Sequence, residues 1–202
     1  MKQLSLFDER DRLLSPRPET MVLDRDGLIR WKQSIFDYQQ QVRNNQQPQQ
    51  QTLFDLPRQT WHTPDEIDPF SLRFHPADFY RKPEPPEPFD NPERGCIYFI
   101  IDREASRREG DRTLPILLYI GETKLTAHQR WSGTHYCKDY LMNYIEMHRR
   151  YGLNVAVCSA FWQHIPPDKK VLLAWERELI LKWRSPFNKE NWDKFGQPFK
   201  KI

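Results

Sequence analysis

Cysteine is scarce in this chain: Cys96, Cys137 and Cys158 lie far apart and lack the close spacing of metal ligands. Such a pattern supplies neither a disulfide framework nor a thiolate metal cluster, so the three read as reduced core residues. No apolar run approaches the length of a membrane span. The opening MKQLSLFDERD turns acidic where a secretory signal would need its hydrophobic region. Long apolar runs are also missing from residues 1–94, which hold most of the prolines and nearly all of the glutamines. The expectation is a cytoplasmic protein without a membrane partner, whose core comes from the second half of the chain.

Charge divides the same way. Residues 95–202 carry 18 Lys and Arg against 12 Asp and Glu, or +6, and residues 1–94 carry 13 against 16, or −3, which sums to the net +3 of the whole chain. A basic folded domain behind a mildly acidic tail points to a polyanionic partner for the domain.

Along the first 93 residues, a polar tail carries one apolar knot at Leu4, Leu6 and Phe7. Apolar residues at Leu28, Trp31, Ile35, Phe36 and Val42 then recur at helical spacing, which predicts a helix over about 26–43. The run NNQQPQQQ has nothing to bury and reads as linker, and KPEPPEPFDNPE at 82–93 reads as an extended domain boundary. This gives a partly disordered N-terminal region, 1–93, and a folded domain, 94–202.

The folded part alternates its periods. Strands are expected at 96–102 and about 114–121, flanking a charged loop, with a third within NVAVCSAFWQHI. Helices are expected at about 124–131, 135–150 and 167–184, the last bracketed by Pro167 and Pro186. The fold class is α/β: a three-stranded antiparallel sheet with helices packed on it.

Glu176 resists a structural explanation. On an ideal helix with Leu172 at zero, Leu179, Trp183 and Ile180 fall at about −20°, 20° and 80°, and Glu176 at about 40°, among them. A carboxylate there needs a divalent metal or an arginine such as Arg130 beside it, and position alone leaves both open. Tyr98 and Tyr119 on adjacent strands are either core filling or hydroxyls able to take part in proton transfer. Gly121 reads as a tight turn at a strand end. The guanidinium of Arg130 suits a phosphate, with Lys124 and His135 as accessory candidates, and Asn188 passes otherwise as a turn residue.

In order, Cys96, Ile97 and Tyr98, then Tyr119, Ile120 and Gly121, then Arg130 with Trp131, then Glu176 twelve residues before Asn188, resemble the GIY-YIG nuclease family over about 94–192. The resemblance implies a metal-dependent nuclease acting on DNA phosphodiesters, with one divalent cation, typically magnesium, on Glu176. It implies Tyr98 as general base, Tyr119 as a positioning hydroxyl, Arg130 as phosphate clamp and Asn188 as organiser of the site. Three departures stand out: the first motif is CIY, Glu122 follows YIG where many members carry lysine, and Arg130 comes eleven residues after Tyr119, one more than the pattern expects.

Gln3, Leu4, Ser5, Leu6 and Phe7 are similar to the peptide by which bacterial replication and repair proteins bind the sliding clamp, and residues 50–54 form a looser copy. The resulting expectation is a clamp-recruited DNA endonuclease of repair or recombination, associated with the nucleoid. A restriction or homing endonuclease and a non-catalytic DNA or clamp adaptor are the alternatives.

Overall fold

The computed structural model describes residues 23–45, 63–76, 95–104, 108–109, 112–113, 115–125, 129–130, 135–165 and 167–199. The clamp-like peptide at 3–7, its copy at 50–54 and the proline-rich stretch at 82–93 lie outside them.

Strands β1 (His75–Pro76), β2 (Cys96–Asp102), β3 (Arg108–Glu109), β4 (Arg112–Thr113), β5 (Ile116–Thr123) and β6 (Val157–Trp162) alternate with helices α1 (Arg25–Asn44), α2 (Tyr136–Arg150), α3 (Lys169–Trp183) and the single turn α4 (Trp192–Phe195). The main sheet runs β1-β6-β2-β5 and is antiparallel throughout. Its three long strands are the expected ones, and the two-residue β1 adds an edge on β6. The small β3–β4 hairpin sits within the charged loop. Of the helix expected near 124–131, only Gln129 and Arg130 are described, and both are helical. Among the described residues no helix is long and apolar enough to cross a membrane.

Every residue of β2 is buried because both faces of the sheet are covered. Ile97, Phe99 and Ile101 pack against Ile67 and against Leu172, Leu179, Ile180 and Trp183 of α3. Tyr98 and Ile100 face the other way, into a cluster with Leu28, Trp31, Ile35 and Phe36 of α1, Tyr144 and Met147 of α2, and Phe187. Each of these large side chains contributes about 1.5–3 kcal/mol on burial, so both helical layers are needed. Cys96, Cys137 and Cys158 are free and buried, as their apolar contexts suggested.

Helix α1 therefore belongs to the core, and the boundary placed at residue 93 is not a packing boundary. Asp24 caps the helix by accepting the Gly27 N–H at 2.6 Å. Lys32, only 4 % exposed, enters a closed polar network with the fully buried Asp102 and His148. Its Nζ lies 3.3 Å from Asp102 Oδ2 and 2.9 Å from His148 Nε2. The Tyr144 hydroxyl donates to Asp102 Oδ2 at 2.6 Å, and the N–H groups of Ala156 and Glu104 donate to Oδ1. The apolar pattern of α1 was legible in sequence; its role in closing the core was not, because the partners come from β2 and α2.

Strand β5 is an edge strand, yet its outward backbone groups are occupied. The Gln39 amide of α1 donates to the Leu117 carbonyl at 2.9 Å and accepts the Leu117 N–H at 2.8 Å, copying a neighbouring strand. The Phe187 N–H meets the Leu118 carbonyl at 2.9 Å. Asn188 repeats the Gln39 arrangement at Ile120, and Glu176 takes the N–H of Glu122. Side chains thus replace a fifth strand along the element that carries Tyr119.

Candidate active site

Tyr98 and Gly121 are cross-strand partners, which lays the tyrosine ring over the glycine. A Cβ on residue 121 would stand 2.8 Å from Tyr98 Cε1 and closer still to Cζ and Oη. Gly121 thus lies inside β5 and not at its turn; it is glycine because the first tyrosine occupies the space. Gly121→Ala should cost about 1–3 kcal/mol of stability through overpacking, read as a drop in the denaturation midpoint. An alanine variant as stable as the parent would remove this account of the pairing.

The Tyr98 and Tyr119 rings are 5.9 Å apart. Tyr119 meets His135 edge-on at 5.7 Å and Tyr136 at 6.1 Å, and His135 stacks on Tyr136 at 5.3 Å. His135 caps α2: its Nδ1 accepts the Cys137 N–H at 3.2 Å, which leaves the proton of the neutral ring on Nε2. Burial first, then the charges of Arg130 and Lys138, hold its pKa down to about 4. The imidazole is neutral at physiological pH, which makes it a ring of the cluster and a cap, not a cation.

Burial pushes the Tyr98 phenol above its ordinary range, with Arg130 and a hydrogen bond to Tyr119 pulling the other way. Tyr119 is raised further, by burial and by the neighbouring tyrosines. Arg130 keeps its charge: its partial burial opposes ionisation, and Tyr98, Tyr119 and Glu122 outweigh it. Despite its spacing, the guanidinium stands close enough to Tyr98 for the two to interact electrostatically, each favouring the charged form of the other.

Glu176 is half-buried, with its Oε1 accepting the Glu122 N–H at 3.0 Å. Its carboxyl is pushed up to about 7 by burial, then by Glu122 and Glu190, against the Glu122 N–H and Arg130. Among the described residues no three His, Cys, Asp or Glu side chains gather to hold a metal. The donor set that remains fits a hard divalent cation of the magnesium kind, which takes one or two carboxylates, waters and substrate phosphate oxygens. A cation there would also relieve the crowding of negative charge that raises Glu176.

Asn188, 3 % exposed, has both ends of its amide engaged. Oδ1 accepts from the Ile120 N–H at 2.9 Å and the Ser185 hydroxyl at 2.6 Å, and Nδ2 donates to the Ile120 carbonyl at 2.8 Å. It holds the strand between Tyr119 and Gly121, a positioning role. Lys124 does not join the cluster: its Nζ donates to the Pro167 carbonyl at 3.4 Å, at the start of α3.

With this arrangement in view, the family comparison is decisive: residues 94–191 match the GIY-YIG catalytic domain. The chain carries a GIY-YIG domain, the catalytic module of a nuclease family. No curated protein and no solved structure matches the chain.

Tyr136 of the tyrosine cluster and Gln39 on the edge of β5 were not singled out from the sequence. Tyr136 links Tyr119 and His135 to Trp192, yet it carries only the signal of an apolar helix position. Gln39 was detectable, since it continues the buried face of α1 through Leu28, Trp31, Ile35 and Phe36 as a polar residue, the same anomaly that singled out Glu176. The cysteine of CIY is buried in β2, its thiol raised to about 12 by burial, so it acts as core.

Proposed function

We propose that this protein is a magnesium-dependent DNA endonuclease of repair or recombination, recruited to DNA by the sliding clamp. What supports it above all is the Glu176 carboxyl, raised to about 7 and anchored on β5 beside Arg130 and the tyrosines. Glu176 would hold the cation, which supplies Lewis-acid polarisation of the phosphoryl oxygen and stabilises the leaving oxygen. Arg130 binds the phosphate and meets the charge that builds in the transition state. Tyr98 would act as the phenolate: its own proton leaves to solvent first, and Oη then accepts the proton of the attacking water. Burial resists that ionisation and Arg130 favours it, and a cation held on Glu176 would favour it further. Tyr119 orients Tyr98, and Asn188 fixes the strand that carries Tyr119.

Clamp recruitment rests on Gln3, Leu4, Ser5, Leu6 and Phe7, a peptide with a polar glutamine and apolar anchors. Tethering would raise the local concentration of the nuclease on DNA.

One experiment addresses both. Nicked, flapped, branched, mismatched and intact duplexes are incubated with magnesium or chelator, with and without a bacterial sliding clamp, using the full chain and a chain lacking residues 1–7. Magnesium-dependent cleavage that the clamp stimulates only in the full chain is the expected result. Absence of cleavage on every substrate would favour the adaptor, cleavage at one sequence in plain duplex the restriction or homing type, and equal stimulation of both chains would remove the clamp peptide.

A further inference from the structure

Of the two cations the sequence offers for the DNA backbone, Arg130 stands by the tyrosines, whereas the Lys124 Nζ donates to the Pro167 carbonyl and Glu122 stands where many members of the family carry lysine. A second basic residue lies on the far side of the tyrosine cluster. Lys189 is exposed, and its Nζ sits 4.9 Å from the centre of the Tyr136 ring and 5.9 Å from that of Trp192. Tyr136 in turn packs edge-on against Tyr119. The ammonium is therefore held one ring beyond the catalytic tyrosines.

The backbone beneath Lys189 is fixed to the same strand. The turn Lys189–Asn191 follows Asn188 directly, and the Asn188 amide is pinned to Ile120 of β5. At its other end the turn is held by Asn191, 3 % exposed, whose Nδ2 donates to the Ile180 and Ser185 carbonyls at 3.2 and 3.1 Å. Glu190, between them, reaches Glu176 and Tyr136 electrostatically, so this turn borders the site. A rigid turn, an exposed cation and two rings that limit its freedom lower the entropy lost when that cation meets a phosphate.

We propose that Lys189 is a second phosphate-binding residue of this site, contacting the DNA backbone beside the phosphate that Arg130 engages. The inference rests on the nuclease reading for its choice of ligand. Its chemistry is charge pairing with a backbone phosphate, independent of base sequence.

The test is equilibrium binding of a fluorescently labelled branched DNA over a salt series in chelator, for the parent protein and the variants Lys189→Met, Lys189→Arg and Lys124→Met. Methionine keeps an apolar stem on the two rings and removes only the charge. Lys189→Met should weaken binding roughly fivefold at low salt and lower the salt slope by about 0.9, with arginine restoring both and Lys124→Met resembling the parent. A Lys189→Met slope equal to the parent's, an arginine variant as weak as the methionine one, or the loss appearing in Lys124→Met instead would each overturn the assignment. Cleavage of the same DNA with magnesium is measured in parallel. A parent that binds with the Lys189-dependent slope but never cuts refutes the hydrolase and leaves the lysine's role standing.

Discussion

Glu176→Gln should abolish magnesium-dependent cleavage, by about 10³-fold or more, while DNA binding persists, since a Lewis acid contributes several kcal/mol at the transition state. The same substitution should make the protein more stable. Glu176 is raised from 4.5 to about 7 in the folded state, so between these values the native protein binds more protons than the unfolded one. Stability contributed by this site is complete below pH 4.5 and is lost as pH rises through 7. A shift of this size corresponds to roughly 2–3 kcal/mol at a partly buried group. In chelator, the stability gap between Glu176→Gln and the parent should therefore widen by that amount from pH 4.5 to pH 8. His135 and His148, both held down to about 4, gain stability as pH rises over part of the same window, but they are common to both proteins and cancel. A gap that stays constant with pH would show that Glu176 titrates as an ordinary surface carboxylate, and the metal-site reading would go with it.

The largest loss of stability is expected from Asp102→Ala. Asp102 accepts from Lys32, the Tyr144 hydroxyl and two backbone N–H groups while fully buried. Its removal leaves an ammonium inside the core without a counter-charge. Burial already lowers the pKa of Lys32, with Asp102 as the main opposing influence. The expected cost is about 3–5 kcal/mol, a large share of the stability of an ordinary domain. Lys32→Met should cost less, roughly 1–2 kcal/mol, because Asp102 keeps three donors. Urea unfolding of the two variants checks the order. Lys32→Met proving the worse of the two would mean that the network is not held together by Asp102.

Both predictions concern polar groups inside apolar surroundings, and the sequence exposed them unevenly. Glu176 stood out because α3 has a clear period and the glutamate interrupts its apolar face. Asp102 ends a strand-like run and has no such context; its partners lie 70, 42 and 54 residues away in the chain, at Lys32, Tyr144 and Ala156. Asn188 looked like a turn residue because nothing local reveals that its amide completes the edge of β5. Lys124, chosen for being near YIG in sequence, points to Pro167, whereas Lys189, far away in sequence, borders the tyrosines.

The residues by themselves determined the periods of the strands and helices, the anomaly at Glu176 and the order of the GIY-YIG motifs, since each depends on spacing along one element. The tertiary structure decided that α1 completes the core, that Gln39 and Asn188 stand in for a missing strand, and that Gly121 exists to make room for Tyr98. Those outcomes depend on which faces meet across the sheet, and burial and hydrogen-bond completion act through space, without regard to chain separation.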